Sequence, residues 1–340
     1  MKTRIVIVAG LILTNFFVNF AVATQEKLVI AHRGASGYLP EHTLEAKALA
    51  YGMGADYIEQ DLVLTKDDVP IVIHDIHLET TTDVVEKFPG RAREDGKFYA
   101  IDFSLAEIKR LRVNERIRSG SGKAVFPERF PLGLSSFRVP TLAEEIELIQ
   151  GLNRSSGKNI GIYPEIKSPG WHRSQGKDIS KIVLKILKKY GYADQSSLAY
   201  LQCFDPDELK RIRYELNSQL KLVQLLGENR WGQDYANINY AHLQTKEGLA
   251  EIAQYANGVG PWMQQVLKGK GEDQFKISSL VKEAHAAGLV VHPYTFRADA
   301  LPKYVTSLEQ LLKIFYFDLG VDGVFTDFPD RAVKYLDQKN

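Results

Sequence analysis

Short apolar runs alternate with amphipathic stretches along most of the chain. Runs of strand length fall at Leu28–Ala31, Tyr57–Leu64, Ile160–Ile166, Leu198–Phe204, Leu220–Leu226, Gly258–Trp262, Leu289–Phe296 and Gly323–Thr326. Stretches of helical period fall at Leu44–Met53, Ile179–Lys189, Pro206–Leu216, Lys246–Ala256, Ile277–Ala287 and Leu308–Leu319. Strands separated by helices build βα units around a parallel sheet, and eight such strands predict an α/β fold, a closed (β/α)8 TIM barrel. No Gly-x-Gly-x-x-Gly follows the first strand, which counts against an open dinucleotide-binding sheet. Helix ends are written in the chain: Asp205-Pro206-Asp207-Glu208 supplies a capping carboxylate and a proline suited to the first turn, and Gly191 stops the helix before Tyr192.

Val69 to His74 is a further apolar run, separated from the second strand by only Lys66, Asp67 and Asp68. So short a link permits a hairpin and no parallel crossover. A turn centred between Lys66 and Asp67 sets His74 opposite Glu59 and Val72 opposite Asp61. From His77 to about Pro140 the rhythm breaks, with scattered Gly, Arg and Phe, loop composition over Ser119 to Arg138 and one helical piece at Ser104 to Leu111. Residues 77–140 therefore read as an insertion after the second-strand hairpin, lying over the C-terminal mouth of the barrel.

Composition changes this picture at the N-terminus. Lys2 and Arg4, the apolar stretch Ile5 to Phe20 and the close Ala21-Val22-Ala23 have the pattern of a secretory signal peptide, residues 1–23, cleaved near Ala23. Asn15 and Asn19 interrupt the stretch, which falls short of the ~20 apolar residues of a membrane span. The expected mature domain, 24–340, is exported. Of 43 basic and 42 acidic residues it lacks Lys2 and Arg4, so its charge is nearly balanced and gives no reason to expect nucleic acid or an anionic membrane as partner. Cys203, the single cysteine, excludes an internal disulfide and reads as a core residue.

Charged residues punctuate the apolar runs: His32 and Arg33 follow Ala31, Glu59 and Asp61 lie within Tyr57–Leu64, His74 ends the hairpin, and Glu165 and Lys167 follow Pro164. Burying an ionised group without a partner is costly, and the tolerable solutions are pairing, hydrogen bonding or a metal. Glu59 and Asp61, two apart, share a strand face. A solvated hairpin face would explain that pair alone, but Glu165 falls near the C-terminal end of another run, where a barrel gathers functional groups. Three carboxylates with no Cys and no His-x-His suit Ca²⁺ or Mg²⁺ better than zinc. His32 and His74 are suited to acid and base roles, with Glu59 expected to favour a charged His74. Arg33 is suited to gripping a phosphoryl group and Lys167 to neutralising it, the blander alternative being that Lys167 only pairs with Glu165 across a shared strand face. Phe204, Trp262, Tyr294 and Phe296 near strand ends are candidates to pack on substrate carbons. His42, His77, His172, His242, His285 and His292 read as structural or surface residues.

His32-Arg33-Gly34, Pro40-Glu41-His42-Thr43, Glu59-x-Asp61, His74-Asp75, Pro164-Glu165-Ile166-Lys167 and Thr326-Asp327-Phe328-Pro329 resemble, in order and spacing, the signature of glycerophosphodiester phosphodiesterases. Leu201-Gln202-Cys203-Phe204-Asp205 and His292-Pro293-Tyr294-Thr295 resemble the periplasmic bacterial members, while His42 stands where many relatives carry Asn. The resemblance implies a TIM barrel of the phospholipase C-like kind, with Glu59, Asp61 and Glu165 as ligands of a divalent cation, usually Ca²⁺ in periplasmic members. It implies His32 and His74 as the acid/base pair, and Arg33 and Lys167 on the phosphate. The implied reaction is hydrolysis of deacylated phospholipids, such as glycerophosphocholine and glycerophosphoethanolamine, to sn-glycerol 3-phosphate and an alcohol. The expected partner is that small-molecule substrate, with no nucleic acid and no stable membrane insertion; a homodimer is compatible with the sequence but not specified by it. Two rivals stay open. Cleavage of intact phospholipid needs an exposed apolar rim, for which the insertion offers only Phe88, Phe98, Phe126, Phe130 and Phe137. A barrel that binds a phosphodiester or a host ligand without cleaving it is the other.

Overall fold

A computed structural model describes residues 27–231, 238–271 and 274–339, so the expected signal peptide lies outside the described residues. The strands are β1 (Leu28–Ala31), β2 (Tyr57–Leu64), β3 (Pro70–Val72), β4 (Gly161–Ile166), β5 (Tyr200–Cys203), β6 (Lys221–Leu226), β7 (Gly258–Pro261), β8 (Leu267–Gly271), β9 (Gln274–Ile277), β10 (Val290–Val291) and β11 (Gly323–Thr326). Eight of them form a parallel ladder in the order β10-β7-β6-β5-β4-β2-β1-β11. A bridge between Phe296 and Thr326 closes the ring, supported by hydrogen bonds from Phe325 N to Pro293 O (3.0 Å) and from Phe296 N to Phe325 O (2.8 Å). This is the (β/α)8 barrel that the alternation predicts.

Side-chain period divides each strand between two cores. Ile30, Tyr57, Tyr163, Tyr200, Val223 and Phe325 fill the barrel interior, where the Tyr163 hydroxyl meets Nδ1 of His292 at 2.9 Å. The opposite strand faces pack with helices such as Leu44–Gly52, Ile179–Lys189 and Pro206–Tyr214 in the main core. A smaller core, including Ile73, Leu78, Phe88, Phe98, Phe103, Ile108, Leu111 and Val139, holds the irregular segment after β3 together. Arg129 of that segment donates to the Ser36 carbonyl and to Asp327, so it lies against the loops that follow β1 and β11.

The hairpin differs from expectation by one register step. β2 and β3 pair as Leu62 with Val72, Val63 with Ile71 and Leu64 with Pro70. The turn is a three-residue loop, closed by Thr65 N to Val69 O and with Asp68 at φ 62°, whereas a turn centred between Lys66 and Asp67 assumed an even loop. Strict continuation of this ladder would set His74 beside Gln60, but β3 ends at Val72 and the imidazole instead lines the mouth.

Other elements also differ. In the run Leu289–Phe296 only Val290 and Val291 form ladder; His292 N and Tyr294 N still donate to the Val259 and Pro261 carbonyls of β7, but Pro261 has no N–H to return and the ladder stops there. The helix expected over Ile277–Ala287 is Leu280–Ala286, Ile277 being taken by a β8–β9 hairpin that the sequence reading did not foresee. The helices expected over Lys246–Ala256 and Leu308–Leu319 are Lys246–Ile252 and Leu308–Lys313, the latter running into a wider turn over Ile314–Asp318. Helix Leu142–Ser156 was also unforeseen, although Thr141 and Glu144 form a capping box and Gly157 ends it at φ 73°.

Candidate active site

The parallel register decides which charged residues meet. β2 pairs with β4 so that Asp61 lies beside Glu165, and β4 pairs with β5 so that Glu165 lies beside Gln202. Glu59, one pleat earlier, sits on the same inward face just above Tyr57. Oxygens of Glu59, Asp61 and Glu165 lie within 4.8 Å of one another, and all three residues are buried. At that spacing two charges repel by about 3 kcal/mol at an effective dielectric near 20, which is large against a stability of 5–15 kcal/mol. The carboxyls respond accordingly. Burial and the adjacent Asp61 push Glu59 up to about 8, and burial pushes Glu165 well above the usual carboxylate range. Burial also opposes ionisation of Asp61, but Lys167, His42 and His74 together hold it well below that range.

Of the six carboxylate oxygens, one is fully buried with no hydrogen bond. Glu59 accepts from the Arg33 N–H (2.9 Å) and from Gln202 Nε2 (3.0 Å), and Glu165 accepts from Lys167 Nζ (2.7 Å). Asp61 Oδ2 meets His42 Nε2 at 2.7 Å, whereas Asp61 Oδ1 is buried with no partner. A buried acceptor left unpaired costs about 1–3 kcal/mol. An all-oxygen donor set with an orphaned carboxylate oxygen fits a hard divalent cation.

His32 and His74 flank this cluster, each held from behind. His32 Nδ1 meets Asp327 Oδ1 at 2.6 Å, and the other oxygen of Asp327 accepts from Arg129 and Arg297, both at 2.7 Å. His74 Nδ1 meets Asp75 Oδ1 at 2.6 Å, and Asp75 Oδ2 accepts from Arg116 at 2.6 Å. The Nε2 atoms face the cluster, 3.9 Å from Glu59 for His32 and 3.4 Å from Lys167 for His74. Burial, with Arg33 beside both rings, lowers each imidazole to about 4. The expectation that Glu59 favours a charged His74 is therefore corrected: Asp75 is its carboxylate neighbour, and burial with Arg33 and Lys167 outweighs it.

Arg33 sits in the left-handed region, φ 60°, just before Gly34, where a Cβ would lie 2.8 Å from the Ala46 backbone. That turn aims the Arg33 N–H at Glu59 while its guanidinium spans Glu41 (2.9 Å) and Asp61 (3.5 Å). A cavity of ≈ 660 Å³ is lined by His32, Arg33, Glu59, Asp61, His74 and Glu165 together with Lys167, Phe204, Trp262 and Tyr294, by Gln202, which the quoted motif contains without a role, and by Trp231, which no sequence signal marks. Phe296 is not among them; it is fully buried against Phe315. A second cavity, ≈ 580 Å³, shares His32, Arg33, His74 and Arg297 and is otherwise walled by Glu41, Arg116, Val125, Phe126, Arg129 and Asp327, with Ser36. Of the expected apolar rim, Phe88 and Phe98 are core residues and Phe126 lies under the Arg129 guanidinium, 3.7 Å from its ring centre.

Asp75, Asp327 and Glu41 lie in the quoted motifs without a role, and His42, expected to be structural, touches Asp61. Arg116 and Arg129 come from a stretch with no periodicity to mark them. Nothing local to either signals that it reaches a histidine's carboxylate.

Comparison with known proteins gives this geometry its context. The chain is 49% identical over 327 residues to a glycerophosphodiester phosphodiesterase of Haemophilus influenzae, covering 92% of this chain and 90% of that one. It is 40% identical over 332 residues to one of Treponema pallidum, covering 93% of each. The fold superposes on a crystal structure of a putative glycerophosphoryl diester phosphodiesterase from Silicibacter pomeroyi with TM-score 0.68 and 24% identity, over 93% and 94% of the two chains. An Oleispira antarctica phosphodiesterase, solved in complex with the product sn-glycerol-3-phosphate, matches at TM-score 0.61 and 20% identity over 91% and 96%. The profile of the glycerophosphoryl diester phosphodiesterase family matches residues 32–331, and the chain belongs to that family of enzymes.

Proposed function

We propose that this phosphodiesterase hydrolyses deacylated phospholipids, such as glycerophosphocholine and glycerophosphoethanolamine, to sn-glycerol 3-phosphate and the alcohol, in dependence on a divalent cation held by Glu59, Asp61 and Glu165. The arrangement that carries this reading is the pair of imidazoles, each tied at Nδ1 to its own carboxylate and presenting Nε2 to one cavity with three carboxylates. A cation bound there supplies Lewis-acid neutralisation of the phosphodiester charge.

The protein's own groups do the rest. Arg33, whose buried Nε has no hydrogen-bond partner, and Lys167 bind the phosphoryl oxygens. One imidazole, neutral in the free enzyme, takes the proton of the attacking hydroxyl at Nε2. The other delivers a proton to the leaving alkoxide, with the bound diester anion favouring its charged form. Phe204, Trp262 and Tyr294 pack on the glycerol carbons, and Gln202 Oε1, buried without a partner, offers an acceptor to a glycerol hydroxyl. The second cavity takes the departing alcohol, on the far side of the two histidines. Export to the periplasm is proposed from residues 1–23 alone.

The test is release of sn-glycerol 3-phosphate from glycerophosphocholine with and without chelator, beside an intact phosphatidylcholine. The expected result is loss on chelation, recovery with Ca²⁺ above Mg²⁺, and an untouched lipid. Full turnover by a metal-free, chelator-treated sample would overturn the metal-dependent reading.

A further inference from the structure

Behind Asp61, on the outer side of the barrel wall, lies a buried polar relay that the reaction scheme does not use. Lys47, on helix Leu44–Gly52, is fully buried. Its ammonium lies 3.1 Å from His42 Nδ1 and 3.3 Å from Glu145 Oε2, and it donates to the Glu59 carbonyl oxygen. His42 is itself 2% exposed, and its Nε2 meets Asp61 Oδ2 at 2.7 Å.

An ammonium has three donors and no acceptor. His42 Nδ1 must therefore be the bare, accepting nitrogen, which leaves the ring proton on Nε2, aimed at Asp61. The contact to Asp61 is then a directed N–H donor on one oxygen, and it accounts for the uneven state of the carboxylate: Oδ2 is engaged, while Oδ1 is buried and unpartnered. The backbone has been shaped to put the ring there. His42 has φ 61°, unfavourable for a side chain with a Cβ, and its N–H donates to the Arg33 carbonyl at 3.0 Å. One lysine thus touches both arms of the cluster, Asp61 through an imidazole and Glu59 through its own carbonyl.

We propose that Lys47 and His42 are positioning residues for the cation: Lys47 sets the Nε2–H tautomer of His42, and His42 holds Oδ2 of Asp61 so that Oδ1 is left as the ligand atom. This rests on the proposed cation site, and it adds that the site's affinity is set by residues that do not line the cavity. Groups that orient metal ligands from behind are typically worth about 10–100-fold in affinity.

The experiment reads Ca²⁺ binding by calorimetry, together with kcat and KM, for the wild type, His42→Leu, His42→Gln and the charge-balanced pair Lys47→Met with Glu145→Gln. A glutamine can place an amide N–H near the position of Nε2, whereas leucine cannot. We expect His42→Leu to weaken Ca²⁺ about 10–100-fold, His42→Gln to recover most of that loss, and the double variant to weaken it about tenfold. At saturating Ca²⁺ the variants recover most of kcat. A folded His42→Leu that binds Ca²⁺ as tightly as the wild type would overturn the proposal. So would a long-range ¹H–¹⁵N spectrum of the metal-free wild type showing His42 protonated at Nδ1, a measurement that needs no variant to fold. If the wild type binds no divalent cation, the cation site itself fails, a result separable from either of these.

Discussion

Asp327 and Asp75 take up Nδ1 of His32 and His74 and so leave Nε2 of each facing the cavity, as the proposed acid/base roles require. Changing either histidine to alanine is expected to lower kcat by about 10² to 10⁴ while Ca²⁺ binding, read by calorimetry, survives, because neither ring is among the three carboxylates proposed to hold the cation. An unchanged kcat would remove that histidine from the chemistry. The carboxylates carry a second expectation. Glu59, raised to about 8 by burial and by Asp61, is mostly protonated at pH 7 in the metal-free protein, so a cation must displace that proton. Ca²⁺ affinity should therefore rise as pH increases from 6 towards 8, by up to tenfold per unit for each proton released. Calorimetry in buffers of different ionisation enthalpy reads the proton directly; a pH-independent affinity would show Glu59 already ionised.

At the scale of elements, two devices hold the mouth in place. The first is the capping box of helix Leu142–Ser156, where the Thr141 hydroxyl accepts from Glu144 N at 3.2 Å and the Glu144 carboxylate accepts from Thr141 N at 2.7 Å. Thr141→Ala should cost about 1 kcal/mol by denaturant unfolding with activity retained. The second is Arg116, which ties the irregular segment to the barrel by gripping Glu41 (2.6 Å) and Asp75 (2.6 Å). Burial opposes both charges, yet Arg116 holds both carboxyls well below their usual range, with Arg33 helping at Glu41 and His74 at Asp75. A depressed folded pKa contributes stability above the unfolded value near ~4 and loses it as pH falls further. Arg116→Met leaves two half-buried carboxylates short of a partner and is expected to destabilise by about 2 kcal/mol at pH 7. Its deficit against wild type should shrink below pH 4. Equal stability of the two proteins at pH 7 would show that the segment is held by its apolar core alone.

The molecule as a whole should feel the cation. A ligand bound only by the folded state adds stability by mass action, about 2.7 kcal/mol at a hundred times its Kd. Calcium at that concentration should raise the melting temperature and chelator should lower it, with the Glu165→Gln variant responding far less to either. An identical melting curve with and without calcium would count against a resident cation.

Most of the architecture was legible in the chain because a barrel strand buried on both faces is a short continuous apolar run, and its charged interruptions have few explanations. That is why His32, Glu59, Asp61, His74 and Glu165 stand out one by one, and why the eight parallel strands could be placed. Where periodicity fails, so does the reading. The loop centres on Asp67 instead of between Lys66 and Asp67, which moves the hairpin by one register, and Pro261 on the neighbouring strand cuts a ladder short. The amino-acid sequence by itself determined the strand rhythm, the chemistry of the buried charges and the family. Only the tertiary structure decided that Asp61 lies beside Glu165, that Arg116 and Arg129 reach back to the carboxylates behind the two histidines, and that His42 grips Asp61. Those contacts join residues up to 198 positions apart, and such pairings are set by sheet register and loop packing, which no local pattern of side chains encodes.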